Sequence, residues 1–161
     1  MNIYDVQPIF SHPPHPFELT IDAPGSKSIT NRALMLAALA NGETLLKGAL
    51  FSDDSRHFLQ CLKDLGFDVV VDEPAHTVRV TGFGGRIPKE TAAINVGSAG
   101  TAARFLTAML GCAKGVWHLD ASEQMKKRPM AALLNTLTDL GCRIDCHEKD
   151  NTARSISSRL G

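Results

Sequence analysis

Three short stretches carry residues whose types and spacing suit the binding of small anions. The first reads Ala23-Pro24-Gly25-Ser26-Lys27-Ser28-Ile29-Thr30-Asn31-Arg32. Its pattern is a strand end, a Gly-Ser-Lys-Ser turn and the start of a helix. Free backbone N–H groups, two hydroxyls and an ammonium would then point at one spot, which suits a phosphate or a carboxylate. Ser28 and Arg32 stand four residues apart and share a helix face, so the guanidinium can join the same site. This is not a Walker A loop, because the first glycine of that motif is absent before Lys27. The second stretch is Val96-Gly97-Ser98-Ala99-Gly100-Thr101-Ala102-Ala103-Arg104, again a strand meeting a helix through small residues. Gly97 and Gly100 would let a ligand approach the backbone closely. The third is Gln124-Met125-Lys126-Lys127-Arg128-Pro129, where three consecutive cations precede an expected helix N-terminus. The helix dipole disfavours positive charge there, which hints that an anion neutralises it. Each stretch also has a plainer reading: a capped helix with solvated Lys and Arg, a tight turn fitted to packing, and a solvated basic loop.

Other chemistries find little support. His12, His15, His57, His76, His118 and His147 fall in no motif, and no nucleophile elbow, His-Glu-x-x-His helix or dinucleotide fingerprint is present. Cys61, Cys112, Cys142 and Cys146 are scattered rather than spaced as a disulfide framework. Cys142, Cys146 and His147 lack a second ligand pair, so no metal is assigned. The polar, Pro-rich stretch from Met1 to His15 does not read as a signal peptide, and the cysteines are expected to stay reduced in a cytoplasmic setting. No apolar run approaches the roughly 20 residues of a membrane span. Lys+Arg and Asp+Glu both number 17, so the net charge is zero and gives no case for nucleic acid or an anionic membrane as partner. A local basic cluster for one small anion remains compatible with that balance. The 161 residues are 43% apolar and 21% charged, which is ordinary globular composition for about one domain with a real core.

The elements that must position these stretches come in two similar sets. Leu59, Leu62, Asp64, Leu65 and Gly66 fall opposite Leu134, Leu137, Asp139, Leu140 and Gly141, and Arg32 falls opposite Arg104. The first set predicts a strand over 17–21, a helix over 29–40, a strand over 44–47, a helix over 54–65, and strands over 67–71 and 77–81. Phe58, Cys61, Leu62 and Leu65 make the buried stripe of its second helix, with Asp53 and Asp54 at the N-terminus and Gly66 as the stop. The second set predicts a strand over 92–96, a helix over 101–112, a strand over 116–119, a helix over 130–140, and strands over 142–147 and 152–156. Pro129 suits the first turn of that last helix, whose buried stripe would be Met130, Leu133, Leu134, Leu137 and Leu140. Residues 82–88, rich in glycine, link the two sets. The expected organisation is therefore an N-terminal segment 1–22, a first β-α-β-α-β-β unit with linker 23–88, and a second unit 89–161. If the two helix starts are equivalent, they can converge on one ligand.

The stretch Pro24 to Ala33 resembles the N-terminal signature of the 5-enolpyruvylshikimate-3-phosphate (EPSP) synthase family. So do Ser52-Asp53-Asp54, Gly97 to Arg104, and the Arg128-Pro129 pair, in family order from about Phe17 to His147. The Gly25-Ser26-Lys27-Ser28 turn is less similar to the Ala-Lys-Asn type of the sister UDP-N-acetylglucosamine enolpyruvyl transferases. The resemblance implies an α/β (α+β) enolpyruvyl transferase fold built of repeated β-α-β-α-β-β units, with two of the three units of one lobe present. It implies transfer of the enolpyruvyl group of phosphoenolpyruvate to the 5-hydroxyl of shikimate 3-phosphate, with release of phosphate and no metal or organic cofactor. It further implies that Lys27 contacts both substrates, that Ser28 and Arg32 hold shikimate 3-phosphate, and that Gly100, Thr101 and Arg128 bind phosphoenolpyruvate.

Two positions depart from the family pattern. Ser98 stands where the family has Asn, and Gln124 where it has Arg, which would weaken substrate contacts. The resemblance also implies a third unit, with a Ser-Ser-Gln substrate motif, and a C-terminal lobe carrying the acid/base groups. Residues 155–160 echo that serine motif faintly but have Arg for Gln, so they take no role. The expectation is thus a truncated portion that binds anionic substrate, carries no catalytic group of its own and is inactive alone. The alternative is a non-catalytic folding module without useful affinity. A face left bare by a missing third unit would favour self-association.

Overall fold

The computed structural model describes residues 20–21, 23–146 and 154–158. Helix α1 spans Lys27–Leu39, strand β1 Asn41–Lys47, α2 Asp53–Asp64, β2 Asp68–Asp72 and β3 Thr77–Phe83. Then come β4 Thr91–Asn95, α3 Gly100–Gly111, β5 Gly115–Asp120, α4 Glu123–Lys126, α5 Ala131–Asp139, β6 Arg143–Cys146 and β7 Arg154–Ser158. The strand expected over 17–21 lies largely outside the described residues, as do His147 and the tail beyond Ser158.

Two sheets form. The first has the order β1-β3-β2, with both pairs antiparallel. The second has the order β4-β5-β7-β6, in which β5-β7-β6 repeats that antiparallel pattern and β4 joins β5 in parallel. A parallel pair needs a crossover, and α3 provides it between β4 and β5. The helices pack between and against these sheets. Helix α1 lies on β3 and touches α2 and α3; α2 also reaches α3 and β4; α5 covers α3 and β6. Gly82 in β3 allows a close approach of α1, since a Cβ there would collide with the carbonyls of Ala37 in α1 and of its C-cap Ala40. The sequence suggested that Gly82 begins the linker. It belongs to β3 instead, because pairing with Gly42 holds it in the ladder.

The core follows the periodic stripes. Phe58, Cys61, Leu62 and Leu65 of α2 are fully buried, as are Leu34, Leu106, Leu110 and Trp117. Burying one such Leu or Phe contributes roughly 1.5–3 kcal/mol. The Trp117 indole N–H donates to the Lys89 carbonyl at 3.1 Å, so this large ring is also satisfied. The α5 stripe differs from expectation at one end. Leu134 and Leu137 are buried, but Leu140 is 63% exposed. The stop itself is not the cause, since α2 ends the same way, at Asp64 with Gly66 at φ +92°, and buries Leu65; Leu140, before Gly141 at φ +95°, is left open by the described residues around it. Pro129 precedes the N-cap Met130 rather than opening the helix. Outward positions of the first sheet are mixed: Leu45 and Val70 flank Arg79 across the strands.

Candidate functional site

The start of α1 is fixed to the segment that leads into α2. Ser26 caps the helix, its hydroxyl accepting from the Ile29 N–H at 3.4 Å. Thr30 is buried, and its hydroxyl accepts from the Leu50 N–H at 3.0 Å. Gly25 lies so close to the Gly48 carbonyl that a Cβ would collide with it. Helix α2 begins nearby with a reciprocal cap between Ser52 and Ser55. This corner brings Lys27, the first residue of α1, to Asp54 in the first turn of α2, with Nζ and Oδ2 3.3 Å apart.

The start of α3 is fixed to the chain around β5 and α4. Gly97 has φ +55°, and the His57 imidazole fills the space its Cβ would occupy. The Asn95 side chain accepts from the Gly97 N–H at 2.8 Å, and the Gly97 carbonyl accepts from the Ser122 N–H at 2.9 Å. Ser122 then caps the short helix α4, which buries Met125. Lys126 is held by Glu123 at 2.9 Å and Asp120 at 3.5 Å. The Glu123 hydrogen bond, with Asp120 adding to it, raises the Lys126 ammonium above its ordinary value. The three expected cations are therefore not alike. Lys126 is neutralised by its own carboxylates, Lys127 is exposed, and Arg128 alone faces the α3 start.

One open cleft of about 390 Å³ lies where these corners meet. Lys27, Arg32, Asp54, Gly100, Thr101, Arg104, Phe105 and Arg128 line it. Of the six residues proposed from sequence, Lys27, Arg32, Gly100, Thr101 and Arg128 come together here. Ser28 is exposed and does not line the cleft; the Arg32 guanidinium takes its backbone carbonyl at 3.0 Å instead. Arg104 makes the corresponding bond to the Gly100 carbonyl at 3.1 Å and a second to the Pro129 carbonyl at 3.3 Å. Arg128 reaches Gly100 so closely that its Nη1 lies 2.8 Å from where a Cβ would stand. The N-cap of α3, Ala99, offers no side-chain acceptor, so the first amides of that helix are open to a ligand.

The charge in the cleft is unbalanced. Among the described residues, four cations line it against the single carboxylate Asp54, which Lys27 already engages. Among the described residues, no carboxylate lies within 4.0 Å of the Arg32, Arg104 or Arg128 guanidinium. Such an arrangement suits small dianions, which guanidiniums can take by charge-assisted, bidentate hydrogen bonds. Arg104, Asp54 and Phe105 were not assigned to a site by the sequence. The match of Arg32 to Arg104 is the available signal for Arg104, and the Ser52-Asp53-Asp54 stretch that for Asp54; nothing local marks Phe105.

The departing positions lie elsewhere. Ser98 lines a second cleft of about 420 Å³ with Asp53, Arg56, His57 and Gln60, and Gln124 is exposed on α4. Arg56 there is committed to Glu73 at 2.7 Å. Among the described residues, no cluster of three or more His, Cys, Asp or Glu could hold a metal ion, and no helix is long and apolar enough to cross a membrane.

Known structures share this architecture. The EPSP synthase from Acinetobacter baumannii matches with a TM-score of 0.77 and 28% identity, over 85% of this chain and 31% of that one. The enolpyruvyl transferase NikO from Streptomyces tendae shares the fold at 18% identity, with a TM-score of 0.53 over 81% of this chain and 29% of that one. The fold is that of the enolpyruvyl transferases. Within that class, residues 12–160 match the family described as EPSP synthase (3-phosphoshikimate 1-carboxyvinyltransferase). The 3-phosphoshikimate 1-carboxyvinyltransferase of Trichormus variabilis is 45% identical over 130 residues, 81% of this chain and 30% of the relative. That of Ralstonia pickettii is 47% identical over 126 residues, 78% of this chain and 29% of the relative. The chain belongs to the EPSP synthase family and spans about 30% of the length of these curated relatives.

Proposed function

We propose that this chain supplies the anion-binding part of an EPSP synthase, a cytoplasmic transferase of aromatic amino-acid biosynthesis. The reaction joins C2 of phosphoenolpyruvate to the 5-hydroxyl oxygen of shikimate 3-phosphate and expels phosphate. Lys27 touches both substrates; Arg32 and Ser28 hold shikimate 3-phosphate; Gly100, Thr101 and Arg128 hold phosphoenolpyruvate. The observation that carries this reading is the cleft itself, where three guanidiniums without carboxylate partners surround the open N-terminus of α3. Both substrates are anions. Fixing them side by side and neutralising their charge are large terms in catalysis. Among the described residues Asp54 is the only carboxylate lining the cleft, and Lys27 engages it, which supports substrate binding without turnover by this chain. Exposed Ile29 and Leu36 on α1 support a further property, self-association through that helix face.

Titration of the isotope-labelled chain with shikimate 3-phosphate tests the reading by NMR. Shifts at Lys27, Arg32, Gly100 and Arg128 are expected at millimolar ligand or below, reduced by Lys27→Ala, with no phosphate released when both substrates are present. An unshifted spectrum at millimolar ligand would leave the chain a folding module without useful affinity.

A further inference from the structure

We propose that Phe105 is a positioning residue, whose ring holds the Arg32 guanidinium in place for an anion. This inference rests on the anion-binding reading of the cleft. Phe105 lies on α3 and Arg32 on α1, and both line the same cleft. The guanidinium carbon sits 5.8 Å from the ring centroid, within the range of a cation–π contact. The ring is itself anchored, being half-buried and packed against the core.

The two equivalent arginines show why a ring is needed at this point. Arg104 is fixed by two carbonyls, one on its own helix and one at Pro129 across the cleft. Among the described residues Arg32 has a single such bond, to the Ser28 carbonyl one turn back on the same helix. One bond leaves a long, exposed side chain with much of its rotamer freedom, which an incoming anion would have to remove. The Phe105 face supplies the missing second anchor. A carboxylate could also fix Arg32, but it would neutralise the charge and occupy N–H donors. A ring does neither. It restrains the cation while leaving its charge and its remaining donors for the ligand. The contact also joins α1 to α3, so it fixes the width of the cleft at the side where Arg32 enters.

Removing the ring should weaken binding of inorganic phosphate by about two- to fivefold, the usual reach of an exposed cation–π contact. Phe105→Leu tests this directly but also changes packing. A second series avoids that ambiguity: mono-, di- and trifluorinated phenylalanines at position 105 keep the shape and drain the ring face of negative potential. The measurements are the phosphate affinity and the ring-current shift of the Arg32 side-chain protons. The proposal expects affinity to fall stepwise along the fluorine series and the upfield Arg32 shift to vanish in Phe105→Leu. Flat affinity across the series, or Arg32 shifts identical in the native chain and Phe105→Leu, would overturn it. If the native chain binds no phosphate, yet its Arg32 shift is lost in Phe105→Leu, then the ring positions Arg32 and the anion-binding reading of the cleft is what fails.

Discussion

Two guanidiniums crowd Gly100 in the cleft. A Cβ there would meet Arg128 Nη1 at 2.8 Å and Arg104 Nη1 at 3.2 Å. Both atoms are the far ends of flexible side chains, so a methyl group can be accommodated by moving them. Gly100→Ala should therefore leave the melting temperature nearly unchanged while pushing both guanidiniums out of register. Phosphate affinity is expected to fall about tenfold to a hundredfold, in line with one charge-assisted hydrogen bond of roughly 1.5–3 kcal/mol. Arg128→Ala should lose at least as much. Its neighbour Lys127 is exposed and lines no part of the cleft, so Lys127→Ala should bind phosphate like the native chain. Calorimetric titration of the three variants checks the contrast; an equal loss in Lys127→Ala would mean that binding follows net charge rather than placement.

Helix α2 connects sequence to structure at the next scale. Its stripe of Phe58, Cys61, Leu62 and Leu65 was legible because the spacing is regular and every member points the same way. Cys61 also joins the two sets of elements, its thiol donating to the carbonyl of Asn95, the last residue of β4, at 3.3 Å. Burial first, and the Asp64 charge second, push this thiol up to about 12. In the unfolded chain it would titrate near about 8.5. Above that pH the unfolded state sheds a proton that the folded state keeps. The stability Cys61 confers is therefore complete below the unfolded value and lost as pH climbs from there toward about 12. Urea unfolding near neutrality and near about pH 10 should show this loss, and Cys61→Ala should flatten it. A slope unchanged in the variant would assign the alkaline loss to other groups. What the sequence hid was short or tertiary. Four residues of α4 are too few for a periodic signal, so its cations read as a loop ahead of a helix. The Ser28–Arg32 spacing did put both on one face. Helical side chains lean toward the N-terminus, and the guanidinium also donates to the Ser28 carbonyl one turn back, a bond the spacing alone did not announce. Asp54 was legible as a favourable charge at the α2 start, but its reach to Lys27 depends on the packing of α1 against α2.

The molecule as a whole carries no net charge, so any anion binding is a property of one cleft rather than of the surface. Its field is short-ranged, because the screening length is about 8–10 Å at physiological salt. Phosphate affinity should drop severalfold as salt rises from about 0.05 to 0.5 M, while melting changes little. The exposed pairs Arg56–Glu73, Arg79–Glu43 and Arg143–Asp145 have little stability to lose on screening. Self-association should respond in the opposite direction. Ile29 and Leu36 are each 68% exposed and lie two turns apart on one face of α1, with Arg32 beside them. Two copies meeting on a two-fold axis would set Ile29 of one against Leu36 of the other, and would bring the two Arg32 side chains together. Apolar burial would favour that dimer and like charge would oppose it, so screening should strengthen it. Sedimentation at high concentration is expected to show a dimer that grows with salt and disappears in Leu36→Lys. A monomer at every salt concentration would show that this stripe is too small to hold two copies together, and an association indifferent to Leu36→Lys would move the contact away from α1.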